Sequence, residues 1–215
     1  MKTKELFSLV SGLSGVTRFS MLKMCHRETV LEHTGMIAVF AYVLGTRLNQ
    51  FAGKGIMVHM GVLLSKAIVH DWDETITGDV ARPTKYYSDT LRNELHRLET
   101  DGVQDIADLL EISNAAHHHA DAKEGVEGYI VSLCDIACAI HRCWEEVLVY
   151  NNMHFVLPSQ RLRMVLHKTH SRFAYEDFAK NQRDIIDSFV LDLNNILNKI
   201  LQKGNGELRE MAHAN

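Results

Sequence analysis

The sequence predicts an all-α protein folded as one helical bundle. Apolar residues recur at three- and four-residue spacing along nearly the whole chain, and strand-type alternation is weak throughout. Only two prolines, Pro83 and Pro158, interrupt the 215 residues, and no Ser/Gly-rich linker, low-complexity tract or solenoid-length repeat divides them. A single domain over residues 1–203, followed by a polar tail over 204–215, is the expected organisation.

The helices follow in order. Thr29-Val-Leu-Glu32 has the form of a capping box, with Thr29 accepting from a first-turn amide while Glu32 reaches back. It opens a helix to about Asn49, with Leu31, Ile37, Phe40, Ala41, Leu44 and Leu48 along one side. Ile56, Met60, Leu63, Leu64, Ala67 and Ile68 form a second stripe that ends near His70. Ser88 can cap a third helix, which Thr100-Asp101-Gly102 is expected to stop. A fourth covers Gln104 to Ala120 and a fifth Gly128 to Asn151. Pro158 suits the first turn of a sixth, and a last long helix carries Ile185, Ile186, Phe189, Leu191, Leu193, Ile196, Leu197 and Ile200.

Composition narrows the function. Twenty-three Lys+Arg against 27 Asp+Glu leave a net charge of −4, which argues against a nucleic-acid polymer as partner but permits a small phosphorylated ligand. A hydrophobic share of 46% excludes a disordered or collagenous chain. Cys25, Cys134, Cys138 and Cys143 are too few for a disulfide scaffold, so reduced thiols in a cytoplasmic protein are expected. Lys2, Lys4 and Glu5 spoil a signal core, and Met36 to Gly45 is far short of the ~20 residues that cross a bilayer.

The chemistry concentrates around His70-Asp71. Adjacent helical residues point about 100° apart, so the pair can share one ion only where the helix ends and the chain turns. Asp73, Glu74 and Asp79 add three carboxylates, with Gly78 as the turn, and such anionic density beside an imidazole favours a bound cation. Glu32-His33 stands in the first turn of the earlier helix, and Asp135 lies inside the apolar run Ile130 to Ile140. A carboxylate there must be paired, protonated or bound to metal; Arg142 is seven positions away, a poor spacing for a pair on one helix. Imidazole and carboxylate together suit a divalent transition ion.

The order His33, His70-Asp71, Asp135, each on its own helix, resembles that of the HD-domain metal-dependent phosphohydrolases. Gly15-Val-Thr-Arg18-Phe19, Glu28-Thr-Val-Leu-Glu-His33-Thr, His70-Asp-Trp-Asp-Glu-Thr-Ile-Thr-Gly-Asp79 and Pro83-Thr-Lys85-Tyr-Tyr are similar to the bacterial 5′-deoxynucleotidases of that superfamily. The Thr77-Gly-Asp79 stretch is the discriminating part, and the likeness spans roughly Met1 to Tyr150. It implies an HD-type bundle in which His33, His70, Asp71 and Asp135 hold one divalent ion (Co, Mn, Zn, Ni or Mg). Glu74 would orient or activate the attacking water, and Asp79 would help protonate the leaving group. Arg18, Phe19, Thr77 and Lys85 would line the substrate, a deoxyribonucleotide. Phe19 stands where the family carries a Trp against the deoxyribose, which implies weaker exclusion of ribose. The resemblance also implies a homodimer.

Two rival readings keep the same frame. One is a deoxynucleoside triphosphate triphosphohydrolase, selective for one base such as that of dATP, for which Arg18, Lys23, Arg27, Arg82 and Lys85 are the nearby cations. The other is a catalytically silent HD domain that binds nucleotides. His117, His118 and His119 face three directions on a helix, so a solvated helix end is the plain reading and contact of one with the site the alternative. Cys134, Cys138 and His141 share a helical face but read as core, because a single helix is a poor tetrahedral cage.

Overall fold

The structure, a computed structural model, describes the backbone of residues 2–213 and their side chains apart from Arg82, Phe173, Ala174 and residues 207–213. Ten α-helices are found among the described residues: α1 Thr3–Gly15, α2 Val30–Gln50, α3 Met60–Val69, α4 Glu74–Thr77, α5 Arg82–Lys85, α6 Asp89–Leu110, α7 Asn114–Ala120, α8 Gly125–Trp144, α9 Val156–His170 and α10 Lys180–His213. No named strand occurs among them; Thr17 and Thr29 make an isolated antiparallel bridge.

α8 is the central helix. It packs against α2, α3, α9 and α10, and Ile130, Val131, Leu133, Cys134, Cys138 and Ile140 are wholly buried in the main core. A second core joins Leu9 and Leu13 of α1 to Val30, Val69, Trp72, Val103 and Ala107. That core lies under the ends of α2 and α3, where the chemistry-bearing residues stand.

The capping box forms as the sequence requires: Thr29 accepts from Glu32 N, and Glu32 bonds back to Thr29 N at 2.7 Å. Ser88 caps α6 through Leu91 N, and Pro158 falls in the first turn of α9. α6 does not stop at Gly102. A Cβ there would collide with Ile76 Cδ1, so this glycine permits close approach of α4 to a continuous α6. The helix ends instead at Glu111, which takes a left-handed φ of 59° and separates α6 from α7. The fifth expected helix begins earlier, at Gly125, and becomes a π-helical turn over Glu145–Val149. α10 runs past Gly204, whose Cβ would meet the Val156 side chain. α1 was not anticipated, although Leu6, Leu9, Val10 and Leu13 carry its period.

Candidate active site

His33 lies one turn into α2 and is wholly buried. His70 closes α3, and the turn that follows brings its side chain and that of Asp71 together: His70 Nε2 is 3.0 Å from Asp71 Oδ2. His70 Nδ1 sits 2.9 Å from the Ala67 carbonyl, which can only accept, so Nδ1 carries the proton and Nε2 offers a lone pair. His33 Nε2 is 3.6 Å from Asp71 Oδ2 and 3.2 Å from Asp135 Oδ1, the latter reaching in from α8. Both Nε2 atoms are buried without a hydrogen-bond partner. Among the described residues, His33, His70 and Asp71 are the group whose ligand atoms all lie within 4.8 Å of one another. Two unpartnered imidazole nitrogens facing a carboxylate fit a divalent metal ion, with Asp135 adjacent as a fourth donor.

Arg18 enters from the segment between α1 and α2. The bridge that aligns Thr17 with Thr29 includes Arg18 N donating to Glu28 O at 2.9 Å, and so fixes this residue against the start of α2. Its guanidinium lies 2.6 Å from Asp71 Oδ2, 3.8 Å from Asp135 Oδ1 and 3.9 Å from Glu74 Oε1. Burial alone would raise the Asp71 carboxyl, but His70, Arg18 and His33 outweigh it and hold it well below the usual range. Asp135 is likewise driven down despite burial, through His33, Lys123 and Arg18. Glu74 goes the other way, to about 9, because burial and the charges of Asp71, Asp79 and Asp73 outweigh Arg18. Neighbouring carboxylates with opposed proton affinities are the usual mark of acid–base chemistry.

The remaining expected residues surround this centre. Asp79 Oδ2 accepts from Phe19 N at 2.8 Å, and Phe19 holds a left-handed φ of 53°, rare for an aromatic residue. Its ring meets the buried Phe155 edge-on at 5.5 Å. Gly78, at φ 71°, makes the turn between α4 and Asp79. The Thr77 hydroxyl donates to backbone carbonyls of Asp73 and Gly78. Lys85 Nζ lies 2.7 Å from Glu99 Oε1 in an ion pair between α5 and α6. Arg82, expected as a nearby cation, lies outside the described side chains.

The profile described as YfbR-like 5′-deoxynucleotidase matches residues 5–183. The chain belongs to the YfbR-like 5′-deoxynucleotidase family. It is 28% identical to the 5′-deoxynucleotidase of Citrobacter koseri over 202 residues, covering 91% of this chain and 97% of that one. It is also 28% identical to 5′-deoxynucleotidase YfbR of Escherichia coli over 178 residues, covering 80% and 87%. The fold is shared with an HD-domain phosphohydrolase from Listeria innocua (TM-score 0.66, 21% identity, 94% and 99% covered). It is shared too with the cyanophage S-2L HD phosphohydrolase DatZ, solved with dA and one catalytic Zn²⁺ (TM-score 0.58, 16% identity, 90% and 96% covered). Family and fold together make this chain a hydrolase with the HD-domain architecture.

One pairing in this YfbR-like chain escapes a reading of its motifs, and one of the three adjacent histidines departs from the solvated helix end expected of them. Glu28, wholly buried, receives Arg142 Nε at 2.6 Å, so Arg142 serves Glu28 and not Asp135. Its spacing from His33 was the available signal, but nothing local marks Arg142 as its partner. His119 Nε2 sits 2.9 Å from Asp73 Oδ1, tying α7 to the turn before α4, whereas His117 is exposed. Cys134 and Cys138 are core residues, and His141 faces Glu145 at 3.8 Å. No helix among the described residues is long and apolar enough to cross a membrane.

Proposed function

We propose that the protein hydrolyses the 5′-phosphate of deoxyribonucleoside monophosphates, with one divalent ion held by His33, His70, Asp71 and Asp135. The observation that carries this is the convergence of two buried, unpartnered imidazole Nε2 atoms on Asp71, with the Arg18 guanidinium 2.6 Å from that same carboxylate. When bound, a divalent ion polarises the phosphate and lowers the pKa of water within its reach.

The chain's own groups complete the reaction. Arg18 presents paired N–H donors to the phosphate oxygens. Glu74 Oε2, buried without a partner, faces the attacking water. Ionised by cationic charge beside Asp71, its carboxylate takes up the proton that the water releases. Water oxygen bonds to phosphorus as the P–O5′ bond breaks, and Asp79 hands a proton to the departing 5′-oxygen. Phe19, fixed by Asp79, forms the wall against the deoxyribose. The Lys85–Glu99 ion pair supports a monophosphate, since a triphosphate would need that cation for its outer phosphates. Under this reading the protein is a cytoplasmic homodimer; its four free cysteines and the exposed Val39, Tyr42 and Val43 of α2 support those two points.

Purified protein assayed with Co²⁺, Mn²⁺, Zn²⁺, Ni²⁺ and Mg²⁺, on each deoxynucleotide as mono-, di- and triphosphate, tests the proposal. Orthophosphate and deoxynucleoside are the expected products. Inorganic triphosphate released more efficiently than orthophosphate from monophosphates replaces it with the triphosphohydrolase reading, and no turnover with any metal leaves the silent nucleotide binder.

A further inference from the structure

Glu28 is wholly buried on the segment leading into α2, and its two oxygens face different partners. Oε2 accepts from Arg142 Nε at 2.6 Å, and Arg142 is itself buried, with NH1 2.9 Å from Glu145 Oε2. Oε1 lies 3.3 Å from His33 Nδ1 and 3.7 Å from Arg18 Nε. All three of these atoms are buried and lack any other hydrogen-bond partner. A buried donor left unmade is costly, so each is the natural complement of the others.

From this geometry we infer that Glu28 is a positioning residue: anchored on Arg142, its carboxylate keeps the His33 proton on Nδ1 and thereby turns the Nε2 lone pair toward the metal ligands. The inference deepens the proposed function and rests on the metal reading of that site. The argument is one of donors and acceptors. A carboxylate only accepts, so it compels Nδ1 to donate and frees Nε2, 3.2 Å from Asp135 Oδ1. The same oxygen faces Arg18 Nε, so one side chain orients both a metal ligand and the guanidinium that meets the phosphate. Arg142 fixes which oxygen does this, since its donor claims Oε2.

Glu28→Gln is isosteric and reverses the logic. Arg142 still demands an oxygen, so the amide NH₂ must face His33 Nδ1 and donate to it, which moves the ring proton to Nε2 and blocks ligation. Cobalt(II) titration, read by its d–d absorption and by dye competition, is expected to show affinity reduced by roughly 10–100-fold in Glu28→Gln. Thermal unfolding of the metal-free forms runs alongside as the check on folding. A Glu28→Gln protein that binds cobalt within threefold of wild type overturns the inference, whatever its melting temperature. If the variant does not fold, ¹⁵N–¹H spectra of metal-free wild type decide, taken where the ring is neutral and with His33 assigned through His33→Asn. A proton on Nδ1 supports the inference, and one on Nε2 overturns it. Wild-type protein that takes up no cobalt overturns the metal reading as well, so the two failures are distinguishable.

Discussion

Asp79 holds the Phe19 amide and, under the proposed mechanism, protonates the leaving group, and one pair of substitutions separates the two. Its Oδ2 accepts the Phe19 amide at 2.8 Å, and Phe19 is held at a φ of 53°. A non-glycine residue in that region costs about 1–3 kcal/mol, which the loop sustains only while something holds it. That hydrogen bond contributes about 0.5–1.5 kcal/mol, and losing it also leaves the amide unpaired at a cost of about 1–3 kcal/mol, together enough to do so. Asp79→Ala removes the restraint and the carboxyl together. The loop then favours another conformation by about 1–3 kcal/mol, and the competent population falls by about 5- to 150-fold, raising KM by that factor. Asp79→Asn keeps an oxygen for the Phe19 amide, so KM should stay within about threefold of wild type. Both variants lose the proton donor, which lowers kcat by about 10²–10⁴-fold. Steady-state kinetics of orthophosphate release on a deoxynucleoside monophosphate reads both constants. Equal KM in Asn and Ala variants would refute the restraint, and kcat unchanged in Asn would remove Asp79 from proton transfer.

Asp71→Asn and Asp135→Asn are expected to lose both bound metal and activity, while Glu74→Gln keeps the metal and loses about 10²–10⁴ in kcat; metal content after gel filtration checks this, and Glu74→Gln emerging metal-free contradicts the roles. Phe19→Trp should raise the deoxy-to-ribo ratio of kcat/KM by up to tens-fold, in keeping with about 1–3 kcal/mol for one wall of a pocket; a ratio that does not move takes residue 19 out of sugar selection. Glu146 is wholly buried, and burial would raise its carboxyl, but the amides of Cys25 and His26 and the Asn152 side chain hold it below the ordinary 4.5. Its folded-state value is thus depressed, so its stabilisation is complete above pH 4.5 and lost as pH falls through that depressed value. Urea unfolding of Glu146→Gln across pH 3–7 should show a lower plateau and a shallower acid limb, and parallel curves would exclude Glu146 from the acid response.

Local signals in the chain agree with the structure because their physics is local. The Thr29–Glu32 box satisfies orphan amides within one turn, and a helix ending at His70 follows from where its apolar stripe stops. The His33, His70-Asp71 and Asp135 pattern was visible as residue types on separate helices, before any distance between them was known. Gly102 differs for the complementary reason: a glycine that ends a helix and one that admits a neighbour are alike in sequence, and only Ile76 packed against it separates them.

The helical class and the caps were therefore determined by the sequence itself, since each depends on periodicity or on chemistry carried by the residue, while the metal-ligand candidates were named by the resemblance of their order to a known family. Only the tertiary structure decided the partners: Arg142 on Glu28, 114 residues away; Asp79 on the Phe19 amide, 60 away; His119 on Asp73, 46 away. Such pairings have no spacing rule. They are selected because a buried charge or amide must be satisfied by whatever group packing brings within about 3 Å, and that neighbour exists only once the bundle has closed.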